Sequence, residues 1–168
     1  MSKRDPFYKQ EISFPDVTLS VQIKDSKRIP GFTRKSIKII IMKYYINKII
    51  STNLEAATTI VTEELQKEGF GIVTRFDVNK ALKEKLDVDF RQYRVLGACN
   101  PAFALRSINT ENKIGTILPC NVMLQEVKNG TEVAIINPAI MVADIDNDEI
   151  KMIADEINEK LQRVIISI

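Results

Sequence analysis

Histidine and tryptophan are both missing from this chain of 168 residues. Without an imidazole there is no Ser-His-Asp triad and no Cys-His pair, because nothing of suitable basicity takes the nucleophile's proton. Histidine-bearing zinc sites fall for the same reason, and two cysteines cannot complete a four-thiolate site within one chain. Two cysteines are also too few for a disulfide scaffold. No run approaches the ~18 apolar residues that a membrane-spanning helix needs. The opening MSKRDPFYKQEISFP has no apolar centre of the signal-peptide kind. The expectation is a cytoplasmic protein whose thiols stay reduced.

What is present is ordinary for a globular domain: 45% hydrophobic and 27% charged residues. A chain of this length suits one domain and buries enough surface to fold without a metal or a disulfide. The net charge of +2 is unevenly spread. Residues 1–41 hold nine Lys and Arg against four acids, which leaves the remainder slightly acidic. The division expected is a basic, weakly ordered leader over 1–41 and a compact domain over 42–168, with Met42 as a second candidate start. A basic arm of this kind can hold phosphate backbones.

Periodicity supplies the elements. TLSVQI in the leader suits a short strand, and Met42–Ile49 a longer one. Thr52-Asn53-Leu54-Glu55 has capping-box spacing, with Leu54, Ala57, Val61 and Leu65 following at helical intervals. Gly69 suits a helix stop. A strand over Phe70–Phe76, a short helix capped by Asp77 and a strand over Tyr93–Ala98 come next. Asn100-Pro101 pairs an N-cap with a proline at the first helical position, so PAFALRSI reads as a helix. Strands over Thr116–Val127 and Glu132–Asn137 flank Asn129-Gly130, which suits a tight turn with positive φ at both residues. Ile150, Ile153, Ile157, Leu161 and Val164 stripe a final helix entered at Asp146–Asp148. The order is β-α-β-α-β-α-β-β-α, and the fold expected is a single α+β domain, one mostly antiparallel sheet with helices packed on one face.

The stretch from Gly97 to Asn121, GACNPAFALRSINTENKIGTILPCN, holds both cysteines, Cys99 and Cys120. Each precedes an asparagine, and a proline adjoins each pair: Pro101 after the first, Pro119 before the second. Cys99 falls at a strand-to-helix corner, where helix-start amides favour a thiolate, and Arg91, Arg94 and Arg106 are near in sequence. Cys120 falls in an apolar strand. Free cysteine is also among the most buried residue types, and the plainer reading makes both thiols small core hydrophobes. Asp144–Asp155 has acids at EF-hand-like intervals, but Glu149 stands where such a loop needs glycine. GFGIV lacks the third glycine of a dinucleotide loop. No metal site and no cofactor are expected.

GFGIVTRFDVNKALKEKLDVDFRQYRVLGACNPAFA followed by IGTILPCNV closely resembles the bacterial and archaeal family catalogued as domain of unknown function 302, over about residues 42–168. The resemblance implies a small α+β domain, often dimeric. It carries over a location: Phe90, Arg91 and Tyr93 of DFRQY, with Cys99, Asn100, Pro101, Pro119, Cys120 and Asn121. It also implies a histidine or another polar ring near the position that Leu105 holds here, and leucine removes imidazole chemistry from that place.

Together these residues point to a module binding a small anionic or thiol-bearing ligand near the two Cys-Asn motifs, with Arg91, Tyr93, Cys99, Asn100, Pro101, Arg106, Cys120 and Asn121 as its site. Two alternatives stand beside it: a thiol-based redox protein or enzyme using Cys99 and Cys120, and nucleic-acid binding through the basic leader, the weakest of the three. Catalysis is neither required nor excluded by these residues. A homodimer is expected, since Ile165, Ile166 and Ile168 at the end of the last helix exceed what one small domain covers.

Overall fold

The structure is a computed structural model that describes residues 43–168. The leader, its TLSVQI strand and the Met42 start lie outside the described residues. Five strands alternate with helices. In chain order they are β1 (Tyr45–Ile50), α1 (Leu54–Lys67), β2 (Gly71–Asp77), α2 (Val78–Leu86), β3 (Tyr93–Cys99), α3 (Pro101–Thr110), β4 (Cys120–Val127), β5 (Gly130–Ile136), α4 (Pro138–Met141) and α5 (Asp148–Ser167). The strands form one sheet in the order β1-β5-β4-β3-β2, with every neighbouring pair antiparallel. This is the α+β architecture expected, with one extra short helix.

Strand alternation builds the core. Leu96 and Ala98 of β3, Val122 and Leu124 of β4, and Val133 and Ile135 of β5 all point to one side and are buried. Against them pack Leu54, Ala57, Val61 and Leu65 of α1 and the Ile150-Ile153-Ile157-Leu161-Val164 stripe of α5. Ile46 and Ile50 of β1 add to the same side. Helix α2 contributes no buried residue.

Several local expectations are corrected by what each side chain finds. The cap of α1 is Asn53, not Thr52: its Oδ1 accepts from the Ala56 amide at 2.9 Å. The Glu55 carboxylate does not close a capping box, because it accepts from the Arg94 guanidinium. Asp77 precedes α2 without a side-chain cap bond, since its carboxylate also accepts from Arg94, at 2.5 Å. Buried Arg94 thus outcompetes two backbone ends for two carboxylates, as a desolvated guanidinium must be paired.

The β4–β5 turn is displaced by one residue. Val127 pairs with Gly130, so Lys128 and Asn129 occupy the turn. Asp87 is the only non-glycine with positive φ among the described residues, so Asn129 does not share that conformation. Gly130 does, with φ 136. A Cβ there would also collide with the Ile50 carbonyl oxygen of the neighbouring strand.

Strand β4 starts at Cys120 rather than Thr116. Ile114–Thr116 is a turn of 3-10 helix, and the Leu118-Pro119 peptide is cis. Helix α4 repeats the device that starts α3: Asn137 caps it through the Ala139 amide and Pro138 takes its first position. Finally, Ile165 and Ile168 pack on the core, so among the described residues at the end of α5 only Ile166 stands free, 74% exposed.

Candidate functional site

Cys99 ends β3, and Asn100 turns the chain into α3. Asn100 Oδ1 accepts from the amides of Ala102 and Phe103, and its Nδ2 donates to the Glu68 carbonyl at the end of α1. Gly69, with φ 86, lets that α1 end approach: its would-be Cβ lies 2.8 Å from Asn100 Nδ2. Cys120 opens β4, where the register pairs it with Ala98 rather than with Cys99. Both thiols are free and half-buried.

Two small contiguous crevices meet at Cys120. One, with a volume of about 40 Å³, runs between α3, α4 and α5 and is walled by Ile114, Met141, Ile153 and Ala154 among others. The other, about 10 Å³, runs under α3 beside Phe70, Cys99, Asn100 and Phe103. Ser107, Leu118, Cys120 and Ile157 belong to both walls. The lining is almost wholly carbon and sulfur. Burial in it pushes the Cys120 thiol up to about 11, with the neighbouring Cys99 adding to the shift. At neutral pH Cys120 is therefore a protonated thiol, a weak nucleophile and a good apolar contact.

The predicted site residues do not all converge. Cys99, Asn100 and Cys120 do. Pro101 begins α3 on its exposed side, and Asn121 is exposed. Arg106 leaves the area: its Nη1 donates to both carboxylate oxygens of Glu156, at 2.9 and 3.0 Å. Leu105 points outward from α3, 64% exposed. Arg91 and Tyr93 lie at the other end of β3, six residues and ~20 Å along the strand from Cys99.

At that far end Arg91 joins a chain of hydrogen bonds that no sequence motif announced. Its Nε and Nη2 donate to Gln125 Oε1 at 2.9 and 2.7 Å. Gln125 Nε2 donates to Glu132 Oε2, and Asn47 Nδ2 donates to Glu132 Oε1. The Arg91 guanidinium stacks 4.4 Å from the Phe90 ring and 5.6 Å from Tyr93. A wider open depression of about 390 Å³ lies beside the β4–β5 turn, lined by Ser51, Asn53, Gln92, Glu126 and Asn129 among others. None of the predicted site residues borders it.

Among the described residues, no group of three or more Cys, Asp or Glu side chains is placed to hold a metal ion, and no helix is long and apolar enough to cross a membrane. Asp148 and Glu149 of the EF-hand-like stretch sit in the first turn of α5, where they favour the helix dipole.

Comparison with known proteins gives one family and one fold. Residues 46–168 match the family described as Domain of unknown function DUF302. A solved structure with the same architecture is the crystal structure of an uncharacterized conserved protein DUF302 from Bacillus stearothermophilus. It is 27% identical, with a TM-score of 0.71 over 75% of this chain and 98% of that one. No curated protein matches the chain.

Proposed function

The chain belongs to the DUF302 family, and from that premise we propose that its domain, residues 42–168, is a non-catalytic binding module working as a homodimer in the cytoplasm. Its ligand site is the crevice at Cys120, and the ligand is a small, uncharged, thiol-bearing group. The observation that carries this reading is the sharing of the half-buried Cys120 thiol by the walls of two apolar crevices, the smaller of which Cys99 also lines. The volume suits a few heavy atoms, such as the end of a short alkyl thiol.

Of the two ligand classes expected, the anionic one finds less support. The α3 amides that would receive an anion are held by Asn100, and Arg106 is held by Glu156. The raised Cys120 pKa also argues against a nucleophilic role at neutral pH. Two free cysteines suit a reducing compartment.

A thermal-shift titration tests the reading. Ethanethiol should raise the melting temperature in a saturable way, because a ligand bound only by the folded state stabilises it. Ethanesulfonate, its charged counterpart, should not. If neither compound shifts the transition, or if the sulfonate acts better, the proposed ligand chemistry is wrong.

A further inference from the structure

Ser107 holds the innermost position of α3. It is the one buried residue of that helix, 3% exposed, while Phe103 and Ala104 are half-buried. A helix ordinarily turns alanine or an aliphatic residue inward at such a point. A hydroxyl placed there gives up its water and needs another partner. The usual partner is local: serine or threonine in a helix donates back to the carbonyl four residues earlier. Thr58 and Thr62 of α1 do this, to the carbonyls of Leu54 and Thr58, each at 2.7 Å.

Ser107 does not. Its backbone carbonyl accepts from the Glu111 amide at 2.8 Å, but its hydroxyl has no hydrogen-bond partner among the described residues. Nor is that hydroxyl walled in. Among the described residues, Asn158 Oδ1 is the only fully enclosed side-chain nitrogen or oxygen without a partner, so Ser107 Oγ keeps some open surface. The space beside it is that of the two crevices, whose walls it shares with Cys120. No charged side chain lines either crevice, and the one other polar side chain, Asn100, is held by the Ala102 and Phe103 amides and the Glu68 carbonyl. An ion would find no counter-charge there. A pure hydrocarbon would leave the hydroxyl unpaired. A lone water needs two to four polar partners, and Ser107 supplies one.

We infer that Ser107 determines the specificity of the Cys120 crevice, its hydroxyl holding a single uncharged oxygen, hydroxyl or carbonyl, on a short thiol-bearing ligand. The inference rests on the crevice reading above and narrows its ligand class to oxygen-bearing short-chain thiols. A serine hydroxyl both donates and accepts, so either kind of oxygen pairs with it. The ligand's carbon and sulfur atoms then lie against Leu118, Cys120 and Ile157, which border both crevices as Ser107 does. A site of this kind is a few well-placed polar groups in an apolar wall, and here the unengaged group is one hydroxyl. A polar residue at the innermost point of a helix breaks the pattern of the core, and such breaks gather at functional sites.

Thermal-shift titrations of the full chain with mercaptoethanol and with ethanethiol, kept reduced by a phosphine, test this. The two thiols differ by one hydroxyl. The wild type should bind mercaptoethanol ~3–10-fold more tightly, the net contribution of one hydrogen bond. Ser107→Ala should lose that preference and bind the two about equally. Alanine is the better helix former and removes the unpaired hydroxyl, so the unliganded variant should melt at or above the wild-type temperature. A wild type that binds the two equally or favours ethanethiol, or a preference that survives Ser107→Ala, overturns the role of Ser107 while the crevice reading stands. So does a variant that melts lower, because the hydroxyl would then serve the fold. Binding of neither thiol to the wild type overturns both.

Discussion

Gly130 is constrained twice, by its φ of 136 and by the Ile50 carbonyl oxygen that a Cβ would strike. The second constraint belongs to β1, some eighty residues earlier, and only the β1–β5 register reveals it. Gly130→Val should therefore cost more than the ~1 kcal/mol of an ordinary glycine replacement at positive φ. Urea unfolding should show a loss of about 2 kcal/mol or more; a loss below ~0.5 kcal/mol would mean the turn relaxes freely. Arg94 is the other decisive residue. Its side chain is 2% exposed and donates to Asp77, Glu55 and Thr58. Arg94→Met keeps the volume but removes the buried partner of the nearly covered Asp77 carboxylate, which retains only the more exposed Lys80, at 3.1 Å, and Arg75, at 3.5 Å. The expected loss is about 2–4 kcal/mol, below the full cost of a broken buried pair because Glu55 reaches water. The sequence made Arg94 visible only as a nearby cation for Cys99. Its true partners come from α1 and the end of β2, and nothing in the order of residues brings those together.

At the scale of elements, helix ends were the most legible features. Asn100-Pro101 and Gly69 act as local signals, and their chemistry needs nothing distant. The same Asn-Pro device at Asn137-Pro138 passed as a strand end, because a four-residue helix leaves no periodicity to read. Asn100→Ala should destabilise by about 1–2 kcal/mol, the upper range of a cap loss. Asn100 Nδ2 also donates to the Glu68 carbonyl, as Asn137 Nδ2 donates to the Lys43 carbonyl, so Asn137→Ala should cost a similar amount; a loss below ~0.5 kcal/mol for Asn100→Ala in chemical denaturation would deny the cap. The join between α1 and α5 should respond to acid. Lys160 and Arg163 of α5 both reach the Glu68 carboxylate. Arg163, with help from Lys160, lowers the Glu68 pKa from 4.5 to about 2. Arg94 likewise holds Asp77 well below the usual carboxylate range. A lowered folded-state pKa contributes stability that is complete above the unfolded value and is lost as pH falls through the folded one. Urea midpoints should thus fall between pH ~5 and pH ~2 and stay flat from pH ~5 up to the alkaline range where thiols begin to ionise. Glu68→Gln should make that fall shallower, by about 1–2 kcal/mol over the range; an unchanged acid limb would show the pair to be idle.

At the scale of the molecule, the fold class and the order of elements along the chain were readable because each strand's period of two and each helix's stripe agree with a single buried side; the order of strands within the sheet was not. The candidate site was legible only in part. Proximity in sequence grouped Arg91 and Tyr93 with the Cys-Asn motifs, yet β3 is a rigid spacer that holds them at opposite ends of the sheet. The crevice itself depends on α4 and α5 closing over Cys120, a contact between distant parts of the chain. Ligand binding at Cys120 requires that the crevice admit a small uncharged group to the thiol. Alkylation of the folded full chain, read by mass at each cysteine from pH 7 upward, answers this. Iodoacetamide should modify Cys120 in the folded state, faster as pH rises toward its pKa of about 11, while iodoacetate should leave it untouched. Cys99 should accept both reagents. A Cys120 that stays inert to both until the protein unfolds, or that prefers the charged reagent, would contradict the account.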